Sequence, residues 1–179
     1  DFWQLTLEYL DQNRKPARRV LAGFSVNKKR HRLGFIIPAI NVIAEDDYIA
    51  LAATNVGVHF ARADVNTDHE IAEQFQQMIS AAPVLAASIA KAGVSVVGFA
   101  CTSASFFLGK GSDKVIAEQM TAMAGVPTYT TATAAVDALR TVGAKSVAIA
   151  TPYLSWVYEA ERAFFREAGF QVVAINGLE

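Results

Sequence analysis

Short apolar runs alternate along the chain with longer stretches in which apolar residues recur at helical spacing. The short runs predict strands at Leu33–Ile37, Val56–Ala61, Val94–Ala100, Val126–Thr128, Ser146–Ala150 and Gln171–Ile175. The longer stretches predict helices over Ile71–Lys91, Asp113–Ala124, Thr133–Val142 and Ser155–Ala168. The acidic run Glu45-Asp46-Asp47 fits the first turn of one more helix, where the helix dipole favours negative charge.

Glycine follows three of these helices, at Gly93, Gly143 and Gly169. Glycine at this place supplies the left-handed residue that ends a helix. Strands that alternate with helices of this length are joined by right-handed crossovers, so the sequence predicts an α/β fold with a parallel sheet and helices on both faces. Ligands of such sheets bind beyond the carboxyl ends of the strands, and we therefore look for chemistry there.

The composition is typical of a folded domain that needs neither a disulfide nor a metal ion for its stability. The chain has 179 residues, 53% of them hydrophobic, and a net charge of −1, which excludes extensive disorder. A single cysteine excludes a disulfide framework and an all-thiolate metal site, and the spacing of the three histidines predicts no metal centre. No apolar run reaches the length of about 18 residues that a membrane span needs, and no glycine-rich phosphate cradle is present. We expect a soluble, cytoplasmic protein without cofactor, metal or membrane contact.

Basic residues are concentrated at the amino-terminal end. Half of the 16 lysines and arginines lie within the first 32 positions. A basic segment of this kind can touch nucleic acid or an anionic surface, but here no base-stacking aromatic residues are interleaved with the charges. We interpret residues 1–31 as a solvated extension outside the fold, residues 32–179 as the α/β domain, and nucleic acid as no partner.

Small polar residues follow several predicted strands, and none of these segments holds a histidine, lysine or arginine. They are Pro38–Asn41 after the first strand, Cys101-Thr102-Ser103 after the third, Thr130–Thr133 after the fourth and Thr151-Pro152-Tyr153 after the fifth. Hydroxyl and amide donors of this type hold an anion without a fixed positive charge. Tyr153 is expected to point into the ligand crevice. Asn41 either contacts the ligand or caps the following helix, and the sequence leaves both interpretations open.

Cys101 also has two interpretations. A free cysteine at the end of a strand is commonly a small buried core residue. Cys101, however, ends the most apolar strand, is followed by two hydroxyl residues, and precedes a predicted helix start, where the helix dipole lowers the pKa of a thiol. No histidine is placed to act as its base, which disfavours a cysteine–histidine catalytic pair.

These segments resemble the aspartate/glutamate racemase superfamily, in the branch of the maleate cis–trans isomerases and arylmalonate decarboxylases. The resemblance covers positions 32–179 in matching order and is carried by residues 33–41 with Glu45, and by residues 97–103, 109–111 and 147–153. It implies a flavodoxin-like half of a two-half fold that closes over a small dicarboxylate. It also implies Cys101 as the catalytic cysteine of the first half, with Asn41, Thr102, Ser103 and Tyr153 holding substrate carboxylates.

The resemblance implies a cofactor-independent isomerase that converts a small unsaturated dicarboxylate, as from maleate to fumarate, by addition of the thiolate to the double bond. The alternatives are a racemase or decarboxylase that passes through an enediolate, and a noncatalytic domain that binds small acids. The decarboxylase branch has glycine where Cys101 stands, but its Thr-Ser pair and its tyrosine match. Members of the superfamily use a second cysteine from the second half, so we expect this chain to be a C-terminally truncated fragment that lacks part of the catalytic machinery. Assembly into a homo-oligomer is left open.

Overall fold

The computed structural model describes residues 31–177, so the predicted extension lies outside the described residues except for His31, which begins the first strand. The strands are β1 (His31–Pro38), β2 (Val56–Ala63), β3 (Val96–Phe99), β4 (Thr128–Thr130), β5 (Ser146–Thr151) and β6 (Gln171–Gly177). The helices are α1 (Ala44–Leu51), α2 (Ile71–Ala90), α3 (Thr102–Phe106), α4 (Ser112–Ala124), α5 (Thr131–Thr141) and α6 (Ser155–Glu167). Strands and helices alternate as predicted, except that α3 and α4 follow each other between β3 and β4.

The described strands form two parallel sheets. The first has the order β2-β1-β3-β4, with Ile36 of β1 paired to Ala61 of β2 and to Phe99 of β3. The second contains only β5 and β6. The α/β prediction with parallel strands is confirmed, but the strands divide between two sheets instead of sharing one, because no ladder joins β4 to β5 in the described part of the chain.

Several strand boundaries differ from the prediction, and for β4 the reason lies in the backbone. Strand β4 begins at Thr128, two residues later than predicted, and Pro127 contributes only its carbonyl, which accepts the N–H of Val97 at 3.0 Å. Proline has no N–H to donate, so regular pairing starts after it. Strand β3 covers Val96–Phe99 and is shorter than the predicted run.

The two faces of the first sheet carry different helices. Ile36, Val97 and Phe99 are at most 1% exposed and pack in one cluster with residues of α2 and α4. On the opposite face, Tyr48 of α1 stacks on Phe35 with a ring-centroid distance of 4.1 Å. The alternation of side chains along β1 produces this division, because neighbouring residues of a strand point to opposite faces.

A second, smaller cluster holds the β5–β6 sheet. Its buried members are Val136 of α5, Phe165 of α6, Phe170, and Val172 of β6. This arrangement brings the carboxyl end of β5 next to α3, which follows β3 of the first sheet.

None of the helices among residues 31–177 combines the length and the apolar character that crossing a membrane requires.

Candidate active site

Cys101 lies at the carboxyl end of β3, at the residue that caps the short helix α3. Its backbone is extended, with φ −133° and ψ 99°, and the residue is 8% exposed. The carbonyl of Cys101 accepts the N–H of Ser105 at 3.1 Å and the hydroxyl of Ser105 at 2.6 Å. The residue is therefore both buried, as one interpretation expects, and placed at the ligand edge of the sheet, as the other expects.

The thiol of Cys101 lies near two hydrogen-bond donors and is largely shielded from solvent. Burial raises the pKa of the thiol, and this effect outweighs the lowering by the backbone N–H of Ala104 and by the hydroxyl of Ser103. The Sγ–Oγ distance to Ser103 is 3.8 Å. The expected stabilisation from the helix start is present at Ala104, but the prediction of a lowered pKa is wrong because desolvation dominates.

Tyr153 joins this cluster from the end of β5. Its phenol lies close enough to Ser103 and Thr102 for their side chains to lower its pKa in part, and its ring lies edge-on to Phe106 with a centroid distance of 6.5 Å. Burial raises the pKa of the phenol, so Tyr153 keeps its proton at neutral pH. Cys101, Thr102, Ser103 and Tyr153, predicted from separate strand ends, therefore meet in one place.

Asn41 has a different environment. Its Oδ1 accepts the N–H groups of Ile43 and Ala44, both at 3.0 Å, and thus caps the start of α1. The capping interpretation describes this geometry, and the substrate-contact role of Asn41 stays a prediction. No contact among residues 31–177 connects Asn41 to the site residues, which are Cys101, Thr102, Ser103 and Tyr153.

Arg62 is a residue that the sequence analysis missed. Its Nη1 donates to the carbonyl oxygens of Ala39 at 2.9 Å and Asn41 at 3.0 Å, and its Nη2 lies 3.0 Å from Oε2 of Glu45. The predicted second strand ended at Ala61, whereas β2 continues to Ala63 and places Arg62 at the ligand edge. Extending the predicted second strand by two residues, to Ala63, would have placed Arg62 at the ligand edge.

Glu45 lies in the first turn of α1, as predicted, and its pairing with Arg62 ties that helix to β2. Arg62 also donates to two carbonyl oxygens of the loop after β1, so the pair stabilises the position of that loop.

The threonines after β4 have partners within the protein. The hydroxyl of Thr133 donates to Oδ2 of Asp113 at 2.8 Å, and Oγ1 of Thr130 accepts the N–H of Thr133 at 3.1 Å. The hydroxyl of Thr131 donates to the carbonyl of Phe99 at 3.0 Å. This part of the predicted ring of hydroxyls thus stabilises the start of α5, and the donors to the Cys101 thiol, Ser103 and Ala104, come from α3.

Glu161 of α6 is a second residue that the sequence analysis missed. It is 7% exposed, and burial raises the pKa of its carboxyl group, an effect that nearby Thr151, which ends β5, partly opposes. Its helical spacing from Val157 and Phe165 places it on the buried face of α6, and that spacing was readable in the sequence. Within residues 31–177, no group of three or more potential metal ligands comes together.

Comparison with known proteins gives one family. The family model described as arylmalonate decarboxylase matches residues 33–179. A maleate isomerase of Pseudomonas putida strain KT2440 is 29% identical over 160 residues, which are 83% of this chain and 64% of that protein.

Two solved structures share both fold and sequence with this chain. The maleate isomerase Iso of Pseudomonas putida S16, crystallised with maleate, gives a TM-score of 0.78 at 29% identity over 84% of this chain and 64% of that one. The maleate cis–trans isomerase of Nocardia farcinica, with a covalently bound succinylcysteine intermediate, gives a TM-score of 0.73 at 28% identity over 83% and 64%. The chain thus spans 64% of the length of these relatives. Because the family model covers nearly all of the described residues and the site-bearing strand ends, the chain belongs to the arylmalonate decarboxylase family.

Proposed function

We propose that this protein is a cofactor-independent cis–trans isomerase of a small unsaturated dicarboxylate, with Cys101 as the nucleophile. The observation that carries the proposal is a cysteine at the carboxyl end of β3 whose Sγ lies 3.8 Å from the Ser103 hydroxyl, with Thr102 and Tyr153 beside that hydroxyl. The maleate isomerases of Pseudomonas putida and Nocardia farcinica support it, since the latter has been captured as a succinylcysteine.

The chemistry follows from what these groups can do. The Cys101 thiol first loses its proton to solvent, the thiolate adds to one carbon of the double bond, and the π electrons move onto the adjacent carboxylate to give an enediolate. The former double bond is now single and rotates, after which the electrons return, the C–S bond breaks and the trans alkene forms with release of the thiolate. Hydroxyl donors that face the carboxylate stabilise the charge that develops there. Tyr153 suits this role because its phenol stays protonated.

Replacement of the nucleophile tests the proposal. In the complete gene product, Cys101→Ser is expected to reduce maleate isomerisation by about 10³-fold or more, because a serine hydroxyl is a much weaker nucleophile than a thiolate. The appearance of fumarate, resolved from maleate by proton NMR, measures turnover, because isomerisation keeps the double bond, and calorimetric titration with maleate measures binding, which should persist. Ser80→Ala, at an exposed serine of α2, is the matched control. Retained turnover in the Cys101→Ser variant would eliminate Cys101 as the nucleophile.

A second candidate is decarboxylation or racemisation through an enediolate. It is favoured by the family model and by the Thr102-Ser103 pair with Tyr153, groups that stabilise an enediolate whatever bond has broken. Exchange of the α-proton of an amino or hydroxy acid with deuterated solvent, without isomerisation of maleate, would support this function instead. Binding of a dicarboxylate without any turnover by the complete gene product would indicate a binding protein.

A further inference from the structure

A glycine at the end of β6 lies against the backbone of the proposed site residue Tyr153. Gly177 is the last residue of β6 and pairs with Thr151, the last residue of β5. A Cβ atom added to Gly177 would overlap the carbonyl oxygen of Tyr153 and would lie 2.7 Å and 2.9 Å from Cδ1 and Cε1 of Tyr158. Real Cβ atoms essentially never approach other heavy atoms closer than 3.0 Å, so no other residue fits here unless its neighbours move.

The reason for glycine at this position is space, not backbone conformation. Gly143 and Gly169, which follow helices, have positive φ values of 74° and 96° and nothing within 4 Å of the place that a Cβ would take. Gly177 has the opposite properties, because its backbone belongs to a strand and the space beside it is filled. The requirement for glycine therefore comes from its packing against Tyr153 and Tyr158.

Of the groups around Gly177, the segment of Tyr153 is the one that is least restrained. Strand β6 is fixed by its ladder with β5, and α6 is anchored by Val157, which is 4% exposed. Pro152 and Leu154, on the two sides of Tyr153, are both exposed. A side chain at position 177 would therefore displace the backbone of Tyr153 before it displaced either element.

Movement of Tyr153 reaches the proposed site through α3. The ring of Tyr153 lies edge-on to Phe106, with a centroid distance of 6.5 Å, and Phe106 is 2% exposed at the end of α3. The same short helix begins beside Cys101 and carries Thr102 and Ser103. A shift of the Tyr153 backbone therefore changes the position of the phenol relative to these hydroxyl groups.

We propose that Gly177 is a positioning residue for Tyr153: the absence of a side chain at the end of β6 lets the turn after β5 carry the phenol to the carboxylate pocket. Gly177 acts through the backbone of Tyr153, not on the substrate itself. The effect on turnover rests on the proposed function. The effect on the position of Tyr153 does not.

The first measurement needs no substrate. In the complete gene product labelled with ¹³C at the tyrosine Cζ atoms, the signal that is lost in Tyr153→Phe belongs to Tyr153. We expect Gly177→Ala to shift this signal and Gly125→Ala to leave it unchanged. Gly125 is the matched control, because its φ of 68° strains an alanine, but it lies between α4 and β4, at the sheet edge opposite the site. An unshifted Tyr153 signal in Gly177→Ala would overturn the proposal, whether or not maleate is isomerised.

The second measurement separates an action through Tyr153 from a general loss of structure. Tyr153→Phe removes one donor to the enediolate and should lower kcat for maleate by about 10²-fold. Gly177→Ala, which misplaces that donor, should lower kcat by roughly tenfold, and Gly125→Ala should keep the wild-type value. The double variant Gly177→Ala/Tyr153→Phe should be no slower than Tyr153→Phe, since the group through which Gly177 acts is already absent. Multiplied losses in the double variant would overturn the proposal.

A further pair of variants covers the case in which Gly177→Ala does not fold. Gly177→Ala/Tyr158→Ala removes the ring and keeps only the contact with the Tyr153 carbonyl, so it should fold and remain roughly tenfold slower than Tyr158→Ala. Recovery of the Tyr158→Ala rate would assign the effect to the ring of Tyr158 and overturn the role of the Tyr153 backbone. A wild type that does not isomerise maleate contradicts the proposed function, and the Tyr153 signal then decides on Gly177 by itself.

Discussion

At the scale of the residue, the thiol of Cys101 is governed by competition between desolvation and hydrogen bonding. Its pKa is raised by burial, while the Ala104 N–H and the Ser103 hydroxyl stabilise the thiolate. A raised pKa means that the thiol holds its proton at neutral pH, and only the thiolate is a strong nucleophile. The same hydroxyl of Ser103 also lowers the pKa of the Tyr153 phenol, so one side chain influences both titrating groups.

Removal of the Ser103 hydroxyl tests this balance. In wild type the rate of Cys101 alkylation by iodoacetamide should reach half its maximum above the ordinary thiol pKa of about 8.5, since only the thiolate reacts. Ser103→Ala removes a contribution that lowers the pKa of Cys101, so the midpoint moves further up and the rate at pH 8 falls about fivefold, the equivalent of one hydrogen bond. Alkylation measured against pH gives both numbers, with Ser80→Ala as control. A downward shift of the midpoint would contradict the assignment of Ser103.

At the scale of the element, a polar network joins the starts of α4 and α5 to the end of β4. Asp113, in the first turn of α4, is 5% exposed and accepts the hydroxyl of Thr133, while Thr130 caps α5 through the N–H of Thr133. The negative charge of Asp113 also suits the positive end of the α4 dipole. The threonines of this segment thus set the relative position of two helices.

The isosteric substitution Thr133→Val tests this junction. It keeps the volume but removes the donor to buried Asp113, and we expect the free energy of unfolding to fall by about 1–3 kcal/mol. Thr141→Val on the same helix removes an exposed hydroxyl that donates to the carbonyl of Asp137 and should change stability by less than about 0.5 kcal/mol. Urea titration of both variants measures the change in the free energy of unfolding. Equal changes would argue against a special role for the hydrogen bond from Thr133 to Asp113.

At the scale of the whole molecule, the described residues contain two hydrophobic clusters of unequal size. The larger one lies between the first sheet and helices α2 and α4, and the smaller one consists of Val136, Phe165, Phe170 and Val172 beneath the β5–β6 sheet. Val173 of β6 is 59% exposed, which shows how little of that sheet is covered on its outer side. Tyr153 leaves β5 at the border between the two clusters and packs on Phe106 of the larger one.

This inequality predicts uneven local stability. In the 179-residue chain, backbone amides of β5 and β6 should exchange with deuterium at least about tenfold faster than those of β1 and β3, because fewer buried contacts oppose local opening. Hydrogen exchange followed by mass spectrometry of peptides from the four strands measures the difference. Equal protection of the two sheets would mean that they open as one cooperative unit.

The sequence by itself determined the alternation of strands and helices, the parallel pairing of the strands, and the position of Cys101, Thr102, Ser103 and Tyr153 at strand ends. These follow from side-chain periodicity, glycine-terminated helices and the rule that parallel strands share one carboxyl edge. Thr102 and Ser103 are beside Cys101 in the chain, so proximity there needed no tertiary information.

Only the tertiary structure decided the division into two sheets and the pairing of Arg62 with the loop after β1. It also decided that Thr130, Thr131 and Thr133 form hydrogen bonds within the protein. It also decided the protonation preferences of Cys101 and Glu161, which depend on how much water the packing removes. Local pattern specifies which face of an element is buried, but the free energy of a charge or a hydroxyl depends on neighbours brought in from distant parts of the chain.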